Sequence, residues 1–296
     1  MPKQTMPAAF RALLREQKFL LLPGCFNALS ARLVEQAGFP AMYITGAGVA
    51  SNFVGYPDIG LTSSTEVLET ARNITEVTGV PVLCDTDTGF GNAVNVIRTV
   101  RQFERAGLAG IQLEDQVMPK KCGHTEGKLL VSKEEMVQKI KAATDARQDP
   151  DFALVIRTDA IAVNGLEDAL DRAVAYQEAG ADILFVEAPQ SEEQMRRITS
   201  TLKVPLLANM VEGGGKTPIL PAAKLEAMGY RLAIYPTSLW MAAITAMREV
   251  LEVLKADGTS LRYGDRMVSF QEMFEVVGRS SYAALERKYS AGRGAR

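Results

Sequence analysis

The sequence predicts an α/β protein folded as a (β/α)8 TIM-type barrel, and three observations carry that prediction. Short apolar runs rich in Val, Ile and Leu recur along the chain, each ending in polar or Gly residues. The runs are near-continuous rather than alternating, which marks parallel strands covered on both faces. Each is followed by a segment with apolar residues at helical spacing, and eight such units over about 250 residues favour a closed barrel over an open doubly wound sheet.

In chain order the strand-like runs are 19–22, 41–45, 80–84, 110–113, 152–156, 182–186, 204–208 and 231–235. Helices are expected between them, among others at 28–38, 93–107 and 166–180. These end at Gly38, Gly107 and Gly180, the expected C-terminal stop residue. Two strand-to-helix connections are long, 46–64 after the second run and 114–132 after the fourth, and long connections in a compact domain are usually functional. Beyond residue 235 helical patterns continue over 239–254 and 269–289, more than one barrel unit needs. The expectation is one barrel domain over 1–296, with 240–296 as a helical extension that packs either on its own barrel or on a neighbouring subunit.

Composition narrows the function. The chain has 296 residues, 47% of them apolar, with 33 basic against 35 acidic side chains. That balance lacks the basic footprint of a nucleic-acid binder, so no nucleic-acid partner is expected. Residues 1–22 carry Lys3, Arg11, Arg15, Glu16 and Lys18, so no signal-peptide core forms, and no long uncharged apolar stretch follows. A cytoplasmic protein without membrane attachment is expected. Cys25, Cys84 and Cys122 are odd in number and far apart, which reads as free thiols.

In a parallel barrel the chemistry gathers at the C-terminal strand ends. Asp85-Thr86-Asp87, Glu114-Asp115, Arg157-Thr158-Asp159, Glu187 and Asn209 stand there. Carboxylates converging on one mouth repel one another, and a divalent metal relieves this. Oxygen ligands without His or Cys pairs suit Mg²⁺ or Mn²⁺. If the third strand continued through both, Asp85 and Asp87 would share a face and address one ion. Lys120-Lys121-Cys122-Gly123-His124 sets a thiol between two lysines and the only His, a setting expected to lower its pKa and to suit a nucleophile or a general acid. The Gly213-Gly214-Gly215-Lys216-Thr217 stretch lacks P-loop spacing, and the amides of Gly46-Ala47-Gly48 could cradle a carboxylate. Schiff-base chemistry is disfavoured, because no Lys ends a strand.

These motifs resemble the isocitrate lyase and phosphoenolpyruvate mutase superfamily over nearly the whole chain, nearest to its 2-methylisocitrate and 2,3-dimethylmalate lyases. The resemblance rests on Tyr43-Ile44-Thr45-Gly46-Ala47-Gly48, Pro57-Asp58-Ile59-Gly60, the segment from Asp85 to Gly91, Leu113-Glu114-Asp115-Gln116, the Lys-Lys-Cys-Gly-His run, Ile156-Arg157-Thr158-Asp159-Ala160 and Asn209-Met210-Val211-Glu212. It implies a barrel whose last helix is exchanged with a partner subunit, in a homotetramer built as a dimer of dimers. It implies Mg²⁺ at Asp85 and Asp87, with Asp58, Glu114 and Glu187 acting through water or from behind. It makes Cys122 a catalytic thiol on a closing loop, and has Lys120, Gly123, His124, Arg157 and Asn209 contact substrate carboxylates or complete the closed site. Tyr43, Thr45, Gly46 and Ala47 match a segment that binds the 2-oxo acid product, and Tyr43 is one candidate for the initial base.

The implied reaction is retro-aldol cleavage of a substituted 2-hydroxy di- or tricarboxylate, such as 2-methylisocitrate or 2,3-dimethylmalate, to pyruvate and a carboxylic acid. The alternatives on the same scaffold are an oxaloacetate hydrolase or decarboxylase and a carboxyphosphonoenolpyruvate phosphonomutase. The triglycine stretch stands where methylisocitrate lyases carry an aromatic residue, and it resembles the loop of dimethylmalate lyases with one further Gly.

Overall fold

A computed structural model describes residues 4–290. Eight parallel strands form the barrel: β1 Leu20–Cys25, β2 Met42–Ile44, β3 Val82–Asp85, β4 Gly110–Glu114, β5 Ala153–Thr158, β6 Ile183–Val186, β7 Leu207–Asn209 and β8 Leu232–Tyr235. Each lies within three residues of the run that predicted it. Neighbours pair in the order β6-β5-β4-β3-β2-β1-β8-β7. Closure between β6 and β7 rests on the single parallel bridge Leu184↔Leu206.

The helices Ala28–Gln36, Ala93–Arg105 and Leu166–Glu178 lie where the periodicity puts them. The glycines after them, Gly38, Gly107 and Gly180, have positive φ of 85°, 86° and 113°, as a helix stop requires. Ser63 caps the helix Ser64–Val77 through a reciprocal pair with Glu66. Two apolar assemblies result. An outer one packs strands against helices, with Phe103, Met136 and Tyr176 among its buried members. An inner one fills the barrel with Leu22, Tyr43, Leu83, Val155, Phe185 and Ile234.

The helix Met6–Glu16, which the sequence reading did not mark, adds Phe10 and Leu14 to that inner core. Phe10 is fully buried. Its helix is capped by Thr5, whose hydroxyl accepts the Ala8 amide.

The chain divides into two compact units, one reaching Trp240 and the other starting at Met241. The second unit is helical, and its sequence pattern misled in one place. The single helix expected over 269–289 is two helices, Phe270–Val276 and Arg279–Tyr289, separated at Gly278 with φ 82°. A left-handed glycine ends a helix even where the apolar spacing runs on. Among the described residues no helix is long and apolar enough to cross a membrane.

Candidate active site

Side-chain alternation selects what enters the barrel mouth. Leu83, Val155, Phe185 and Leu207 fill the interior, so Asp85, Arg157 and Asn209, two residues further along the same strands, and Glu187, just past the end of β6, open above them. Gln112 and Glu114 share the corresponding face of β4. Register sets Asp85 opposite Gln112 and Glu114 opposite Arg157. The resulting cavity, of about 70 Å³, is lined by groups including Tyr43, Asp85, Cys122, His124, Arg157 and Asn209. Thr45, Ala47, Asp58, Gly123 and Glu187 also line it.

One half of the mouth is acidic. Asp85 and Asp87 do meet, though not by the route expected. The strand ends at Asp85, and Asp87 takes a left-handed φ of 49°. The Asp87 amide donates to Asp85 Oδ1 at 3.0 Å, so a turn rather than strand alternation joins the two carboxylates. Gly46 is packed against them: a Cβ there would lie 2.8 Å from Asp85 Oδ2 and 3.4 Å from Asp87 Oδ1. Burial, then the neighbouring Asp87 charge, pushes the Asp85 pKa up to about 6. Burial likewise raises that of Glu114, against the pull of Arg157.

Lys120 ion-pairs with Asp58, and with Asp87 at 2.8 Å. It therefore neutralises the aspartates.

The donor set fits a hard divalent cation. Asp58, Asp85, Asp87 and Glu114 face one ammonium and a guanidinium already shared with Asp159 and Glu187. Glu114 Oε1 is buried without a hydrogen bond or an ion pair, and Asp87 Oδ1 and Glu114 Oε2 have only the ammonium and the guanidinium beside them. Among the described residues no group of three or more His, Cys, Asp or Glu forms a ready-made cage. Mg²⁺ keeps several waters and takes one or two carboxylates, so the Asp85–Asp87 pair suits it.

The other half carries donors. Arg157 makes a two-point contact with Asp159, Nε to Oδ2 and Nη2 to Oδ1 at 2.9 Å each. It also stands 3.4 Å from Glu114 and 3.6 Å from Glu187, with its guanidinium over the Phe185 ring. Burial opposes its charge, but Asp159, Glu114 and Glu187 outweigh that and hold it cationic. Glu187 accepts from Asn209 Nδ2 at 3.0 Å and from the Ala188 amide at 2.8 Å, and lies 3.2 Å from His124 Nε2. Its oxygens are thus engaged in the donor half.

His124 Nδ1 accepts the Lys216 amide at 3.0 Å, so the ring proton sits on Nε2, facing Glu187. Burial lowers the His124 pKa against the Glu187 charge, which keeps the ring neutral near pH 7. The triglycine stretch is what delivers that amide. Gly213 and Gly214 have φ of 73° and 118°, and a Cβ on Gly215 would lie 2.6 Å from the Val211 carbonyl.

For the thiol the expectation reverses. Burial raises the Cys122 pKa, and the Asp58 and Glu187 charges add to it, while the His124 amide and Arg157 only partly offset them. Lys120 is turned onto the aspartates and His124 is neutral, so cations adjacent in sequence do not stabilise a thiolate. Cys122 is held as a protonated thiol. Cys25 and Cys84 are free and buried.

Tyr43, a candidate base, donates its hydroxyl to Gln112 Oε1 at 2.7 Å. Burial and the Asp85 charge keep it protonated. The Gly48 amide expected to help cradle an anion is taken by Thr45, at 3.3 Å.

Gln112 was missed by sequence reasoning. Its amide bridges Tyr43 and Asp85, donating to Asp85 Oδ1 at 3.1 Å. Its place two residues before Glu114 on one strand face was the available signal. Asp159 was visible in its motif but not assigned, and it is the main partner of Arg157.

The family model described as phosphoenolpyruvate phosphomutase matches residues 10–255. A 2,3-dimethylmalate lyase of Eubacterium barkeri is 50% identical, over 97% of this chain and 99% of that protein. A 2-methylisocitrate lyase of Salmonella typhimurium is 44% identical, over 96% and 95%. A crystal structure of 2,3-dimethylmalate lyase superposes with a TM-score of 0.93 at 37% identity, covering 99% of this chain and 98% of that one.

Proposed function

This chain belongs to the phosphoenolpyruvate mutase and isocitrate lyase superfamily, and from that premise we propose that it is a Mg²⁺-dependent carbon–carbon lyase cleaving a methyl-substituted malate, of the 2,3-dimethylmalate type, to pyruvate and a carboxylic acid. The observation that carries this reading is Cys122, a thiol kept protonated and lining the same cavity as Asp85 and Arg157.

In such a cleavage the C2 hydroxyl loses its proton, the C2–C3 bond breaks, and C2 becomes the keto carbon of pyruvate. The bonding pair stays on C3, which must then gain a proton. Asp85 and Asp87, with Asp58 and Glu114 behind them, would hold Mg²⁺, which when bound would supply charge neutralisation for the hydroxyl and the adjacent carboxylate. The hydroxyl proton leaves to a water molecule in the cavity, and Tyr43, whose own proton is committed to Gln112, accepts a hydrogen bond from the hydroxyl and orients it without taking the proton. Arg157 meets the carboxylate beside C3, where charge grows as the bond breaks. His124 and Asn209 complete that side, and Cys122 gives its Sγ proton to C3. The loop from Gly123 to Lys128 keeps bulk water from the carbanion. Phe185, Val211 and Ile234 line the same cavity, and apolar walls suit methyl substituents.

The assay offers Mg²⁺ with 2,3-dimethylmalate, 2-methylisocitrate or oxaloacetate in turn. Pyruvate is expected from the dimethyl acid, abolished by EDTA and restored by Mg²⁺. Oxalate and acetate from oxaloacetate, with no pyruvate from the other acids, would replace the reading with the hydrolase alternative. The proposal extends to a cytoplasmic homotetramer in which residues 240–296 pack on a neighbouring subunit. Its support is the run of exposed apolar side chains there, among them Met247, Leu251, Phe270, Met273 and Tyr282. Light scattering showing a monomer would remove that extension.

A further inference from the structure

We infer that Lys128 is a positioning residue, a latch that holds the Cys122–His124 turn over the cavity; this rests on the lyase reading only for its effect on turnover. Lys128 follows His124 by four residues and is 6% exposed. Its Nζ donates to the Gly123 carbonyl at 2.5 Å and to the Thr125 carbonyl at 2.7 Å. These hydrogen bonds go to the backbone of its own loop and not to a carboxylate. Burial works against its charge, and the nearby Asp159 and Glu187 carboxylates only partly offset that, so its place needs a reason other than stability.

The two carbonyls it binds are well placed to control the reacting groups. Thr125 in turn donates to the Cys122 carbonyl through its amide at 3.0 Å and its hydroxyl at 2.8 Å. Lys128 thus reaches the thiol residue through one intermediate. Gly123 lies directly on the donor half, where a Cβ would stand 2.4 Å from Arg157 Nη2 and 2.7 Å from Glu187 Cγ. A shift of that carbonyl therefore moves the whole turn relative to Arg157. His124 is tied from the opposite side by the Lys216 amide. A tetrahedral ammonium can serve two carbonyls of one tight turn at once, whereas a thioether or alkyl group of the same length serves neither.

Cys122 reports on this without any substrate, because Cys25 and Cys84 are completely buried. Iodoacetamide alkylation of Cys122 is measured in the folded wild type, Lys128→Met and Lys128→Arg. Losing two hydrogen bonds from a charged donor should free the turn, so Lys128→Met is expected to alkylate at least about tenfold faster while its melting temperature is little changed. Turnover should fall by roughly tenfold to a hundredfold through kcat, with KM moving less, and Lys128→Arg should recover most of both. An alkylation rate in Lys128→Met within about twofold of wild type would overturn the latch. Should Lys128→Met not fold, Lys128→Ala, which likewise removes both donors, is read against Lys128→Arg on the same criterion. Loss of the lyase reading would leave the alkylation result standing.

Discussion

At the N-terminal end of the barrel interior Phe10, Leu14, Leu20 and Leu232 close the core with apolar side chains alone. At the C-terminal end of the barrel, Asp85, Gln112, Glu114, Arg157 and Glu187 are buried almost as completely. Leu83 and Asp85 leave one face of β3 two residues apart and meet opposite surroundings. The lower end gains from every contact. The upper end retains Glu114 Oε1 and Asn209 Oδ1 buried without a hydrogen bond or an ion pair, each costing about 1–3 kcal/mol. An active site of this kind draws on the stability of the layer beneath it, because charges arranged for a substrate and a cation are poorly satisfied without them.

The contrast is sharpest at Cys122. If the upper end is built for chemistry, Cys122→Ser should lose roughly 10²- to 10⁴-fold in turnover, the usual contribution of a positioned proton donor, while keeping its melting temperature. The raised thiol pKa adds a sign. Activity that needs the protonated thiol persists through neutral pH and declines as pH rises through that pKa, whereas a thiolate nucleophile would gain activity over the same range. A rate that rises steadily into the alkaline range would refute the donor role.

Next come two substitutions of opposite sign, one at each end. Phe10→Ala should destabilise by about 3–5 kcal/mol, as for a fully buried aromatic. Asp85→Asn should stabilise the metal-free protein near neutral pH by roughly 1–3 kcal/mol while removing turnover. A carboxyl whose pKa rises from 3.8 to about 6 on folding binds its proton more tightly in the folded state. Stability therefore falls as pH rises through that window, and Asn escapes the loss. The advantage should vanish below pH ~4, where both forms are neutral. Thermal melts at pH 3.5 and 8 check both, and a destabilised Asp85→Asn at pH 8 would break the comparison.

How much was legible follows from how local each signal is. The strands were readable because near-continuous apolar runs bounded by Gly and polar residues arise only where both faces are covered. The stops at Gly38, Gly107 and Gly180 depend on one residue's conformational freedom. Asp85, Glu114, Arg157, Glu187 and Asn209 were legible as a group because they all end strands. The helix 269–289 misled because periodicity does not register one left-handed glycine. The lowered pKa expected for Cys122 misled because sequence neighbours were taken for spatial neighbours.

Periodicity, strand-end polarity and the Lys-Lys-Cys-Gly-His run determined by themselves the barrel, the end that carries chemistry and the residue types available there. Only the tertiary structure decided who faces whom. Lys120 turns to Asp58 and Asp87, Gln112 joins Tyr43 to Asp85, and the Lys216 amide sets the His124 proton from 92 residues away. The reason is physical: secondary structure follows from short-range spacing and backbone preference, whereas ionisation and hydrogen-bond direction depend on burial and on charges that come together only when the barrel closes.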